Sequence, residues 1–188
     1  MPTTFLASYK SDVLQAVETI DLAKLEQAIR ILRSARDEGR TIFVCGNGGS
    51  AATASHFATE LVKGASYGRA ARFRVISLND SISTVTAYAN DADYACAFVE
   101  QLKNFARPGD VAIAFSSSGN SPSVVNVIEY ANSIGCKTIA FSGRDGGRLG
   151  RAAHLDLQVP HQHLGRCEDA QFIMSHMICY YFMEHPEA

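Results

Sequence analysis

The chain lacks a C-x-x-C pair, a membrane-length apolar run, a block of like charge, an internal repeat and a low-complexity segment. Each absence excludes something. The five cysteines, at 45, 96, 136, 167 and 179, are odd in number and scattered, which predicts reduced thiols, with Cys45 and Cys136 in or beside strands. No apolar run approaches the length of a transmembrane helix, so no membrane partner is expected. Seventeen Lys and Arg mix with 19 Asp and Glu for a net charge of −2, so there is neither a basic stripe for nucleic acid nor an acidic tail. The opening Met1-Pro2-Thr3-Thr4 has no charged region ahead of an apolar block, which predicts no secretory signal and a cytoplasmic location. What remains is 188 residues, 47% hydrophobic and 19% charged, which suits one globular domain over 1–188.

Hydrophobic periodicity predicts a helix over 5–20 and a second one starting at the cap Asp21 and stopping near Gly39. These two helices exceed what a minimal α/β unit needs. They pack on a partner subunit or on the last helix, or else they cover a face of their own sheet. Strands are expected at 41–45, 73–78, 111–115, 137–141 and 155–159. Helices are expected at about 51–63, 81–89, 95–105, from Pro122 to Gly135, and 167–183, with Ser121 as the cap before Pro122. A loop is read at 142–147 and a break around 90–93. The alternation predicts an α/β fold with a doubly wound, five-stranded parallel sheet in the flavodoxin-like order 2-1-3-4-5 behind two N-terminal helices. In that order strands 1 and 3 are neighbours across the switch point, where ligands bind such sheets.

Both of those strands end in polar loops. Gly46-Asn47-Gly48-Gly49-Ser50 is neither a dinucleotide fingerprint nor a P-loop, since it lacks the third spaced glycine and the Gly-Lys-Ser/Thr. It still puts unpaired helix N–H groups at a tight turn, which suits an anion, although a plain turn is the simpler reading. Loop 116–121 holds four serines in six residues. Their hydroxyls suit a phosphoryl group without lysine or arginine, or merely a solvated, capped loop. His56 and Glu60 lie four apart on the helix after the first loop. They form either an ordinary surface pair or functional groups on a largely apolar helix where a lone carboxylate is costly. Glu168, Gln171 and His176 share a wide face of the last helix. Two His and two carboxylates from the two helices suit zinc or another divalent ion. His161 and His163 read as loop histidines, with metal ligation as the alternative, and Asn90-Asp91 as a helix cap or a sugar-hydroxyl contact.

C-G-N-G-G-S…H-F-A-x-E-L at 45–61, A-x-A-N-D at 87–91, S-S-S-G-N-S at 116–121, S-G-R-D-G-G at 142–147 and V-P-H at 159–161 together resemble the SIS (sugar isomerase) domain, and within it the bacterial sedoheptulose 7-phosphate isomerases. The resemblance covers essentially the whole chain. It implies isomerisation of a ketose phosphate to D-glycero-D-manno-heptose 7-phosphate through an enediolate, for surface polysaccharide. It implies substrate contacts from Asn47, Gly48, Gly49 and Ser50, sugar contacts from Asn90 and Asp91, and phosphate contacts from Ser116, Ser117, Ser118 and Ser121. Glu60 is implied as the catalytic base and His176 as its acid/base partner. One zinc per subunit is implied on His56, Glu60, His176 and position 168, which also belongs to the substrate site. The family carries Gln there and this chain carries Glu168. The resemblance further implies homotetramers with sites between subunits. Its rivals are a non-catalytic binding module, of which one relative serves replication initiation, and an isomerase of another sugar phosphate. Such non-catalytic relatives lack the matched glutamate and histidine, which this chain keeps.

Overall fold

The computed structural model describes residues 2–187, so Met1 of the opening tetrapeptide lies outside the described residues. Five strands, β1 (Thr41–Gly46), β2 (Arg74–Ser77), β3 (Val111–Ser116), β4 (Lys137–Gly143) and β5 (Leu155–Val159), form one parallel sheet. Their order is β2-β1-β3-β4-β5, as the alternation predicts. The central β3 is buried along its whole length, which is why it reads as an unbroken apolar run rather than an alternating one.

On one face lie α2 (Leu22–Asp37), α3 (Gly49–Thr59) and α8 (Leu164–Glu184), joined by α1 (Pro2–Glu18). Leu25, Ala28, Leu32 and Ala35 turn α2 into the core shared with the sheet and α8. The Asp21 carboxylate caps α2 by accepting from the Lys24 N–H at 3.1 Å. Helix α1 behaves differently. It buries only Ala16 and rides on α8, where the Tyr9 hydroxyl donates to Asp169 at 2.8 Å and Asp12 pairs with Arg166 at 2.8 Å. Phe5, Leu6 and Leu14 stay 62%, 64% and 55% exposed. The two readings of the leading helices thus divide between them: α2 covers the chain's own sheet and α1 the last helix.

The other face carries α4 (Ile82–Asp91), a 3-10 turn at Tyr94–Cys96, α5 (Val99–Phe105), α6 (Pro122–Ser133) and α7 (Gly147–Ala152). Helix α7 is absent from the pattern-based reading because its glycines mask it. The break expected around 90–93 is confined to 92–93, since α4 runs through Asp91 and the Asp93 carboxylate then caps the 3-10 turn on the Ala95 N–H at 2.6 Å. No residue of α4 is buried. All five cysteines are free thiols. Burial pushes the Cys45 and Cys179 thiols well up and Cys136 to about 11, so these three stay protonated and inert at neutral pH. Among the described residues no helix is long and apolar enough to cross a membrane.

One buried carboxylate ties the starts of two central strands together. Asp110 accepts from the Thr41 N–H at 2.9 Å and from the Arg107 N–H at 2.8 Å. Asp110→Ala strands both donors, and a loss of about 2–4 kcal/mol in denaturant-derived stability is expected. A midpoint equal to that of the parent would show that water replaces the carboxylate.

Candidate active site

Gly46 and Phe115 are register partners, so the ends of β1 and β3 deliver their two polar loops side by side. A side chain at Gly46 would collide with the Ser50 carbonyl, and only glycine lets the chain turn back this tightly into α3. Asn79, unremarked in the sequence, clamps the turn from below. Its Oδ1 accepts from the Gly46 N–H at 3.1 Å and its Nδ2 donates to the Gly46 carbonyl at 2.8 Å.

The resulting cleft of about 140 Å³ is lined by Asn47, Ser50, Ser116, Ser117, Ser118, Ser121 and Glu168. No lysine or arginine lines it. Ser121 holds the N-cap position of α6, but its hydroxyl makes no capping hydrogen bond, contrary to the usual use of serine there. Ser118 accepts from the Asn120 N–H at 3.3 Å, and Ser116 accepts from the Gly119 N–H at 3.2 Å. Ser117 turns inward and donates to buried Gln171 at 3.4 Å, so its side chain serves the loop's anchorage. Gln171 in turn donates to the Phe141 carbonyl at 3.1 Å, which makes it a structural residue.

Asn47 is held at both ends of its amide. Its Nδ2 donates to Ser123 at 2.9 Å, and the Tyr94 hydroxyl donates to its Oδ1 at 2.7 Å. Burial raises the Tyr94 pKa, with a further push from Cys45, so the phenol keeps the proton that it donates. No spacing rule pairs positions 47 and 94, and this contact was not readable from the sequence.

A second cluster lies further along α3. Phe57 is fully buried against Phe115 and Phe141, with ring centroids 6.0 and 6.2 Å away, and Ala54, Ala58 and Leu61 join it in the core. That rotation of the helix presents His56 and Glu60 toward α8. His56 Nε2 lies 2.9 Å from His176 Nε2 and 4.0 Å from Glu60 Oε1. Two ring nitrogens in hydrogen-bond contact require one donor and one acceptor, so a single proton occupies the space between them. Phe172 packs against both rings at 4.7 Å, and Tyr180 stands 5.6 Å from His176. From Glu60 the helix widens into a π turn, Glu60–Gly64, a feature that often accompanies functional sites and that periodicity cannot reveal.

The donors fit zinc in kind, being two imidazoles and a carboxylate. Nitrogens 2.9 Å apart are closer than the roughly 3.3 Å that two tetrahedral zinc ligands keep, so loading asks the rings to part by a few tenths of an ångström. Among the described residues no group of three His, Cys, Asp or Glu is close enough to hold an ion as it stands.

The expectation that Glu168 joins His56, Glu60 and His176 around one ion is not met within one chain. Eight residues of α8, about 12 Å of helix, separate Glu168 from His176. Its carboxylate lies beside Gly49, where an added Cβ would come within 2.8 Å of Oε2, and it lines the serine cleft instead. Likewise Asn90 and Asp91 do not line that cleft. Asn90 donates to Asp91 at 2.7 Å, and Asp91 borders a shallow groove on the outer face of α4. His161 and His163 lie in the segment leading into α8, the Nδ1 of His161 accepting the His163 N–H at 3.0 Å and the His163 ring standing 6.2 Å from that of Tyr9.

The family model described as "SIS domain" matches residues 5–143. A phosphoheptose isomerase of Aliarcobacter butzleri is 37% identical over 179 residues, covering 93% of this chain and 91% of that protein. A probable phosphoheptose isomerase of Thermoplasma volcanium is 36% identical over 93% of this chain and 88% of its own length. The solved phosphoheptose isomerase of Neisseria gonorrhoeae superposes with a TM-score of 0.90 at 28% identity, covering 98% of this chain and 100% of that one. The structure from Francisella tularensis, at 24% identity, shares the fold with a TM-score of 0.91. The chain belongs to the phosphoheptose isomerase family of SIS-domain proteins.

Proposed function

We propose that the chain interconverts sedoheptulose 7-phosphate and D-glycero-D-manno-heptose 7-phosphate in the cytoplasm, supplying heptose for surface polysaccharide. The observation that carries this reading is the meeting of His56, Glu60 and His176 on facing sides of α3 and α8. Moving a proton between adjacent carbons needs a base above the C1–C2 edge and a second group that hands protons between the oxygens. Glu60 takes the first role and His176 the second. The serine cleft, with Ser116, Ser118, Ser121 and the amides beside Gly48, Gly49 and Ser50, grips the phosphate. That remote grip orients the reacting end. Asn47 and Glu168 accept hydrogen bonds from sugar hydroxyls, since a carboxylate in a phosphate cleft has no attraction for the phosphate itself.

About 15 Å of helix separates Ser50 from Glu60, and the cleft's lining includes neither Glu60 nor His176. We therefore propose that the working site forms between protomers of a homotetramer, the serine cleft and Glu168 of one facing the His56–Glu60–His176 group of another. The exposed apolar side of α1 and the unburied α4, which carries Asn90 and Asp91, supply surfaces for that assembly. Zinc belongs to the same proposal, with His56, Glu60 and His176 as its holders. When bound, zinc supplies positive charge for a developing oxyanion. Dialysis against a chelator is expected to lower turnover and added zinc to restore it, with metal analysis on the same samples as the check.

The direct test is incubation with sedoheptulose 7-phosphate in deuterated water, read by proton NMR. Conversion with deuterium entering at C2 of the aldose is expected. An untouched ketose, or faster turnover of a hexose phosphate, would overturn the substrate assignment. Tyr94→Phe is expected to raise KM about 3- to 10-fold and leave kcat within about twofold, because it frees the Asn47 amide without touching the proton-transfer groups.

A further inference from the structure

The opposite end of the sheet carries a second concavity, of about 320 Å³, between the starts of β1 and β2 and the segment that leads into β3. Arg40, Arg74 and Arg107 all line it. This gathering of guanidinium groups occurs on a chain whose net charge is −2. The two carboxylates in the same lining already have partners. Asp110 is committed to two backbone N–H groups, and Glu38 accepts from Arg40 at 3.2 Å and from Ser34 at 2.7 Å.

Arg40 is fixed in place. Its Nε donates to Glu38 and its Nη1 to the Pro108 carbonyl at 3.2 Å, while the guanidinium lies over Gly109, where an added Cβ would come within 2.9 Å of Cζ. The Nη2 of Arg40 has no bond, and Arg74 and Arg107 have no side-chain partner among the described residues. An apolar wall stands beside these donors, with Phe105 56% and Ile76 39% exposed. Guanidinium forks match phosphate oxygens, and an exposed aromatic face stacks on planar rings. The six residues of β1, about 16 to 20 Å of strand, separate this cleft from the serine loops.

We propose that this cleft binds a nucleoside phosphate, its phosphates on Arg74, Arg107 and the free edge of Arg40 and its ring against Phe105. The site is independent of the sugar-phosphate site and places a nucleotide signal at the other end of the same strands.

Calorimetric titration of the full chain with ADP tests this. Saturable binding is expected that persists in Ser121→Asp, which places a repelling charge in the serine cleft. Arg74→Gln/Arg107→Gln is expected to weaken it at least ~10-fold while isomerisation continues at the parental rate. Both arginines are exposed and unpartnered, so the double variant keeps its fold. Adenosine alone and inorganic pyrophosphate alone are each expected to bind at least ~10-fold more weakly than ADP, because each supplies only half of the contacts. No heat up to millimolar ADP, unchanged affinity in the arginine variant, loss of binding in Ser121→Asp, or either half-ligand matching ADP would overturn the proposal.

Discussion

Glu60→Gln and His176→Gln are each expected to lower kcat on sedoheptulose 7-phosphate by at least ~100-fold, with KM changed by less than about fivefold. The asymmetry follows from where the side chains sit. Neither lines the serine cleft that grips the phosphate, so ground-state binding survives. Both lie in the proton-transfer group, where Gln keeps the size of Glu and offers an amide in place of a base. Glu60 is about a quarter exposed and His176 contacts His56 across the helix pair, so neither change opens a core cavity. Thermal midpoints within a few degrees of the parent are therefore expected and separate lost chemistry from lost folding. Parental rates in both variants would remove these residues from the mechanism. A large KM rise with kcat intact would instead assign them to substrate binding.

The fold was legible to a high degree, and the reasons are particular. Strands β1, β3 and β4 are short apolar runs bounded by glycine or polar loops, so their existence and sequence order leave little freedom once parallel pairing is granted. Asp21 and Pro122 mark helix starts by chemistry that acts within one turn. The same locality explains what escaped notice. The π turn at Glu60–Gly64 leaves the hydrophobic spacing almost unchanged, and α7 starts with a glycine where a strong former is expected. Tyr94 on Asn47 and Asn79 on Gly46 are long-range pairs with no sequence period behind them. Glu168 illustrates a further limit. Its residue type suggested a ligand set, but ligation depends on the distance along α8, and that distance puts it with the serines. The family resemblance named the site's members, whereas the geometry puts the serines and Glu168 at one end of α3 and His56, Glu60 and His176 at the other, and leaves Asn90 and Asp91 on α4.

That division leads to the second large effect. Glu60→Gln and Ser121→Asp are each expected to be at least ~100-fold impaired as pure homo-oligomers, the first for want of a base and the second through charge repulsion of the phosphate. Aspartate is as good an N-cap as serine, so Ser121→Asp costs α6 nothing and folding is preserved. If the site is shared, a mixed oligomer contains pairings in which an intact Glu60 from one protomer faces an intact serine cleft from its neighbour. For random mixing in equal amounts about a quarter of the sites are of this kind, so co-expressed and co-purified chains are expected to recover about a quarter of the parental kcat. If each chain instead builds its own site from its own helices, every site keeps one lesion, because each protomer carries one defect or the other. Mixed oligomers that remain as inactive as their parents would therefore return the whole reaction to a single chain. Recovery near one quarter would assign the phosphate grip and the proton-transfer group to different subunits.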